Sequence, residues 1–347
     1  PKFLYKNYLL AMLVLVAALT YLERFVFALV LEPIKHDLQL SDTQLGLMTG
    51  IAFAAFYAVA GVPIARWADR GNRVTIAAVA VGLAGLMVSL CGLAGNFVQL
   101  LLVRAGVAVG EAGVTPTAYS LISDYFDRTE RPRAMGIFSM SYIISMIIGY
   151  LLGGYLVEVY DWRITLMMIG IPGVLVAILI KLTLREPRLT EHTKVVAEQP
   201  SLVEVLHVLW QQRAFRHLFI SFIVGYFFIL GSSQWLAAFF MRSHGMASGE
   251  LGAWLALSWG VGGLLGNYLG GYCATRYAAN REKLQMRVLA FIIIVYGLAS
   301  VMIYLSPNQH IALVFVAVGA LVGPFTNGPV IAAIQSLVNK RMRSVTI

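Results

Sequence analysis

Apolar residues run through this chain in long unbroken stretches separated by short polar turns. Ten stretches are legible, at about residues 8–33, 43–65, 75–94, 97–122, 134–158, 163–183, 215–240, 249–273, 287–305 and 311–338. A helix that crosses a bilayer needs about 20 mostly apolar residues, and these stretches supply it. Membrane-spanning strands would instead alternate apolar and polar positions over about ten residues, and no such alternation is present. Lipid leaves the helix as the other way to satisfy the backbone. The pattern predicts an all-α polytopic membrane protein.

The stretches fall into two sets. Residues 184–212 are hydrophilic and divide six spans from four, giving an N-terminal bundle at 1–183, a cytoplasmic linker at 184–212 and a C-terminal bundle at 213–347. Within the linker Leu202, Val203, Val205, Leu206, Val208 and Leu209 recur at near-helical spacing, which fits a surface helix or a solvated connection. The halves repeat: Leu45-Gly46 and Leu251-Gly252 lie 206 positions apart, as do Arg70 and Arg276. Internal repeats mark secondary transporters. A repeat of six spans predicts two more after Arg343-Ser344-Val345-Thr346-Ile347, so the second bundle is expected to hold four of its six helices here.

Composition agrees. The chain is 59% hydrophobic and 12% charged over 347 residues, about half the charged fraction of a soluble domain. Its net charge of +9 could suggest nucleic acid, but the distribution excludes that. Most basic residues fall in alternate loops; the opposite loops hold only Lys35, Arg163 and Arg242, and two more, Arg24 and Arg104, lie within spans. Positive charge gathers on the cytoplasmic side, so the N-terminus is expected in the cytoplasm and the protein in the inner (plasma) membrane. The first apolar run is too long for a cleaved signal and contains Glu23 and Arg24. Cys91 and Cys273 make neither a disulfide framework nor a metal site. No phosphate-cradling glycine loop opens a soluble helix, so neither cofactor nor metal is expected.

The chemistry concentrates in four charges inside spans: Glu23 and Arg24 in the first, Arg104 and Glu111 in the fourth. Charges at bilayer depth face a bundle interior or an aqueous path and mark functional sites. Arg104 and Glu111 are two helical turns apart and share a face, continued by Thr115 and Tyr119. Gly106, Gly110 and Gly113 thin that helix for close packing, and Pro116 predicts a kink. Glu23 and Arg24 are adjacent, so their side chains diverge by about 100° and cannot share one partner; one is expected to face the cavity and the other a neighbouring helix. The arrangement is either a static buried ion network or a site with Arg24, Arg104 and Tyr119 binding substrate and Glu111 and Glu23 exchanging protons. Spans of the second half carry polar residues such as Ser232, Ser233, Gln234 and Asn267 among many aromatics. Gly323-Pro324 and Asn327-Gly328-Pro329 are expected to interrupt span ten.

The turn after span two reads Ala65-Arg66-Trp67-Ala68-Asp69-Arg70-Gly71-Asn72-Arg73, which resembles the loop 2–3 signature of the major facilitator superfamily, with Ala65 and Asn72 at two usual glycine positions. Asn tolerates a left-handed backbone, so a tight turn is expected at Asn72. Asp161-Trp162-Arg163, Arg185-Glu186-Pro187-Arg188 and the stretch from Arg128 to Met135 resemble other loops of that superfamily. Tyr21-Leu22-Glu23-Arg24 and Arg104-Ala105-Gly106-Val107-Ala108-Val109-Gly110-Glu111-Ala112 resemble its spinster-like lipid transporters, whose fourth span has glycines where Ala105 and Ala108 stand. The resemblance implies the major facilitator fold and a gating latch at Asp69, Arg70 and Arg73; in the second half Thr275 replaces the Asp.

The expected function is alternating-access transport of an amphipathic anion, such as a lysophospholipid or sphingoid phosphate, with protons as coupling partner and membrane lipid as surroundings. The alternatives are proton-coupled symport of a small organic anion and a receptor or scaffold that does not transport. No enzyme activity and no nucleic-acid partner are expected, and the protein is expected to be a monomer.

Overall fold

The structure is a computed structural model; it describes residues 2–127, 129–187, 210, 211, 213–277 and 282–326. The described chain forms twelve α-helices. They are α1 Lys2–Leu38, α2 Asp42–Gly46, α3 Ala52–Arg70, α4 Arg73–Cys91, α5 Phe97–Ala112, α6 Val114–Tyr125, α7 Arg131–Val159, α8 Trp162–Thr183, α9 Arg213–His244, α10 Ser248–Tyr277, α11 Glu282–Leu305 and α12 Gln309–Val322. A single π turn, Leu47–Ile51, joins α2 to α3. Nine described stretches are long and apolar enough to cross a membrane. α10, expected as span 249–273, is a 30-residue helix but is not among the nine, being diluted by Glu250, Ser258, Asn267 and many glycines.

Polar residues start the helices where orphan N–H groups need acceptors. Ser41, Asn96, Asp161 and Asn308 each cap a following helix with a side-chain oxygen. Asn72 does the same. Its backbone is extended (φ −77°, ψ 106°) and its side chain accepts from the Thr75 N–H, so the expected left-handed turn is corrected to an N-cap. Asn serves well there because its short amide reaches back to the first turn.

The fourth span bends, but not at the proline itself. Its helix breaks at Gly113, between α5 and α6. Pro116 lacks an N–H, and its ring clashes with the carbonyl four residues earlier, at Ala112. The break therefore falls one turn before the proline. In span ten α12 ends at Val322 and a 3-10 turn covers Pro324–Thr326; Asn327, Gly328 and Pro329 lie outside the described residues, as does the helical pattern expected at 202–209.

The chain packs as two compact units. The first holds α1–α8 and the segment Phe240–Ala256. Here α4 lies along α8 and against α5, and α1 along α7. Small residues set these distances. A Cβ on Gly85 of α4 would stand 2.6 Å from the Gly170 carbonyl oxygen of α8, and one on Gly110 of α5 would stand 2.6 Å from the Ala84 nitrogen of α4. Segment Phe240–Ala256 is fixed to α7 by the Gly249 N–H, which donates to Glu158 Oε2 at 2.9 Å. In the second unit α11 packs on α12, α10 approaches α12 at Gly262 and Ala320, and Phe239 meets Tyr304 edge to face at 4.8 Å.

One end of the first unit is tied by Arg73, whose side chain is fully buried. Its Nε donates to Glu186 Oε1 at 3.1 Å, and its Nη1 to Asp124 Oδ2 at 2.6 Å and Ser120 Oγ at 2.9 Å. Glu186 also accepts from the Arg73 backbone N–H at 2.6 Å, so it neutralises the guanidinium and the first turn of α4 together. One cation thus joins α4, α6 and the chain leaving α8. Removing one partner of a buried pair strands the other charge, at about 3 kcal/mol or more. Glu186→Ala is expected to lower the thermal midpoint in detergent strongly; Asp124→Ala, whose carboxylate is 39% exposed, is expected to cost less than about 1 kcal/mol.

Candidate functional site

The four span charges meet in the first unit, where α1 passes α5. They pair crosswise. Arg104 Nη1 donates to Glu23 Oε2 at 2.5 Å. Arg24 Nε donates to Glu111 Oε2 at 2.9 Å, and its Nη2 bonds the same oxygen. Divergence of the adjacent side chains on α1 thus resolves differently from expectation. Glu23 and Arg24 both turn to α5, and each meets the partner on its own turn, because Arg104 and Glu111 stand two turns apart on one face. Neither points to a different helix, and the closest cation to Glu111 is Arg24 rather than Arg104.

Burial separates the two pairs. The side chains of Glu23 and Arg104 are 2% and 5% exposed, and Glu111 is 1% exposed, but Arg24 is 35% exposed. Arg24 is the most exposed of the four charges. Three buried atoms of the quartet have no hydrogen-bond partner among the described residues: Glu23 Oε1, Glu111 Oε1 and Arg104 Nε. Each carboxylate thus keeps one oxygen without a partner beside the oxygen that meets an arginine.

Aromatic rings wall the arginines. The Arg104 Cζ lies 4.0 Å from the Phe27 ring centroid and 4.7 Å from that of Phe53. Arg24 Cζ is 5.5 Å from Phe53, 5.7 Å from Tyr57 and 5.8 Å from Tyr21. All fall within the range at which a cation is held by a ring face. Tyr21 in turn shares a 2.9 Å hydrogen bond with Thr115, on the face that Arg104 and Glu111 begin. Tyr119 is 43% exposed and packs its ring edge on Phe138; its contacts do not include the quartet. Phe27, Phe53 and Tyr57 escaped sequence reading, since aromatics in apolar helices are mostly packing. The spacing of Phe53 and Tyr57, one helical turn apart, was the available signal.

Of the gating residues, Arg73 is bound within the first unit as described above, and Asp69 and Arg70 close α3 with their side chains outside the described part. A second ion cluster was not foreseen. Arg242 donates to Glu32 Oε2 at 2.6 Å and to Asp42 Oδ1 at 2.7 Å, and Lys35 pairs with Asp42 at 2.8 Å. It ties segment Phe240–Ala256 to the end of α1 and the start of α2. No cluster of metal-binding side chains occurs among the described residues.

Comparison with known proteins bears on what such a site serves. The family model of the Major Facilitator Superfamily matches residues 13–347. An "MFS-type efflux pump" of Mycolicibacterium smegmatis is 32% identical over 96% of this chain and 77% of its own length. "Protein spinster" of Drosophila melanogaster is 29% identical over 49% of this chain, which spans 28% of that protein. A "Probable L-galactonate transporter" of Escherichia coli is 26% identical over 83% of this chain and 58% of its own length. Among solved structures, a bacterial homolog of the human lysosomal transporter Spinster, inward-facing and unoccupied, has a TM-score of 0.81 at 33% identity, covering 99% of this chain and 78% of that one. This multi-pass membrane chain belongs to the major facilitator superfamily of transporters, with its likeness there running to the spinster proteins, and it is not an enzyme.

Proposed function

We propose that this protein moves an amphipathic organic anion, with a lysophospholipid or sphingoid phosphate as the chemical type, and that one proton travels with it. The observation that carries the reading is the crossed quartet. It contains two arginines, one of them reachable from outside, and two carboxylates that each keep an unpaired oxygen. A planar guanidinium suits phosphate and carboxylate ligands. The resemblance of Tyr21-Leu22-Glu23-Arg24 and of the Arg104–Ala112 stretch to spinster-like lipid transporters supports a lipid anion. A second reading, symport of a small organic anion by the same residues, is supported by relatives named for L-galactonate, hexuronate and benzoate transport.

Arg24 is the first anion contact and Arg104 follows once Arg24 has moved, with Tyr119 further along the same span. Glu111 and Glu23 share the coupling proton. Residues 1–183 and 213–347 act as halves that alternate access by rocking, joined by 184–212. Asp69, Arg70 and Arg73 form the cytoplasmic latch. The N-terminus lies in the cytoplasm, given where the basic loops fall, and the protein resides in the inner membrane as a monomer.

The test is uptake by proteoliposomes of three probes, a radiolabelled lysophosphatidate, L-galactonate and benzoate, with and without an imposed pH gradient. Saturable uptake of lysophosphatidate alone supports the lipid reading; uptake of the small anions alone replaces it with the second. Arg24→Ala and Arg104→Ala are each expected to lower uptake of the accepted probe at least about tenfold, the worth of one charge-assisted bond, in protein that still elutes as one folded species. Near-normal uptake by both would remove the anion site from these residues.

Proton and anion should assist each other. The quartet is neutral when empty, and an added proton leaves it with one net positive charge that an anion cancels. Linkage is reciprocal, so the probe's apparent affinity is expected to rise as pH falls. Glu111→Gln imitates the protonated carboxyl. It is expected to keep exchanging probe across the membrane while losing acceleration by the pH gradient. Wild-type uptake indifferent to the gradient would leave Arg24 and Arg104 as an anchor without coupling.

A further inference from the structure

Phe53 is the one ring, among the described residues, that faces both arginines of the quartet, at 4.7 Å from Arg104 and 5.5 Å from Arg24. It comes from neither helix that carries the charges. Its direction depends on an irregularity in its own span. Ser41 fixes the start of that span with a reciprocal cap: its Oγ accepts from the Gln44 N–H at 3.2 Å and its N–H donates to Gln44 Oε1 at 2.9 Å. The π turn at Leu47–Ile51 then adds a residue to one turn before α3 begins. Each residue of an α-helix advances by about 100°, so the extra one rotates all that follows by about that angle. That rotation brings Phe53, and Tyr57 one turn later, onto the guanidiniums. In an unbroken α-helix from the same cap they would face elsewhere. Such single π turns recur at functional sites.

We propose that Phe53 is a positioning residue that couples the two ion pairs. The two arginines carry like charges, and the negative face of one ring holds both. When Arg24 leaves Glu111 for an anion, its hold on Phe53 changes, the ring shifts, and Arg104 loses or gains the surface against which it is packed. The pair behind the exposed arginine thereby senses occupation of the pair in front. This rests on reading the pairs as the transport site, but its test uses no substrate.

The test is a cycle of thermal midpoints on the purified full chain. Arg24→Lys and Arg104→Lys each keep the charge and lose the flat face. In otherwise wild-type protein the double substitution is expected to depart from the sum of the singles by about 2 °C or more. In a Phe53→Met background, similar in volume but without a ring, the departure is expected to fall by at least half; Phe53→Trp is expected to keep it. Should Phe53→Met fail to fold, Phe53→Leu takes its place. A ring that merely fills space would lower every midpoint and leave the departure unchanged. That result, or additivity in the wild-type background, or a Phe53→Trp cycle that behaves as Phe53→Met does, would overturn the coupling role. Because no substrate enters, a failed uptake assay leaves this outcome interpretable, and a failed cycle leaves the uptake test of the arginines standing.

Discussion

Four charges placed at the depth of lipid cannot be left alone, and most of the first unit is arranged around that fact. A lone ion there costs several kcal/mol, whereas paired ions in good geometry recover much of it. Here long Arg and Glu side chains bridge from α1 to α5 with bonds of 2.5 and 2.9 Å. The helices beside them pack closely: Gly110 lets α5 lie on the backbone of α4, and Gly85 does the same for α4 on α8. The Arg73 knot follows the same rule at the end of the bundle, with two carboxylates, a serine and a helix start satisfying one buried guanidinium.

Incomplete satisfaction separates the quartet from that knot. The Arg73 guanidinium has a partner at each nitrogen. In the quartet each carboxylate keeps one oxygen unpaired, Arg104 keeps Nε unpaired, and Arg24 reaches solvent. Buried unpaired polar atoms are rare in native interiors and mark strain or function. Both arrangements set arginine against carboxylate, yet only the quartet keeps buried polar atoms unpaired and one arginine partly exposed. This weighs against a purely static network in spans one and four.

Much of this was legible in residue order, because hydropathy and charge are strong signals in lipid. Most span positions and the charged stripe on α5 follow from hydropathy and periodicity. Pairing did not follow. Spacing says that Arg104 and Glu111 share a face, but whether they meet each other or Glu23 and Arg24 depends on the height at which α1 crosses α5, and no local pattern records that. The break at Gly113 was displaced from Pro116 for a similar reason: proline damages the turn before it. Asn72 was ambiguous because one short amide suits both a left-handed turn and a cap. Phe53 was hidden because an aromatic in an apolar helix reads as packing, and no local pattern records the π turn before it.

Charge balance supplies the link from geometry to vectorial work. The empty quartet is neutral, and with a proton and a monoanion it is neutral again. With the anion alone it carries one uncompensated negative charge at a depth where such a charge costs about 3 kcal/mol, a factor of roughly 100 or more in population. With the proton alone the mirror penalty applies. On the proposed function the two half-loaded states are therefore the scarce ones, and passage between sides is expected mainly when the quartet is empty or fully loaded. Coupling of this kind would need no dedicated relay: two cations and two anions with one proton site, held in a low-dielectric bundle, make imbalance expensive.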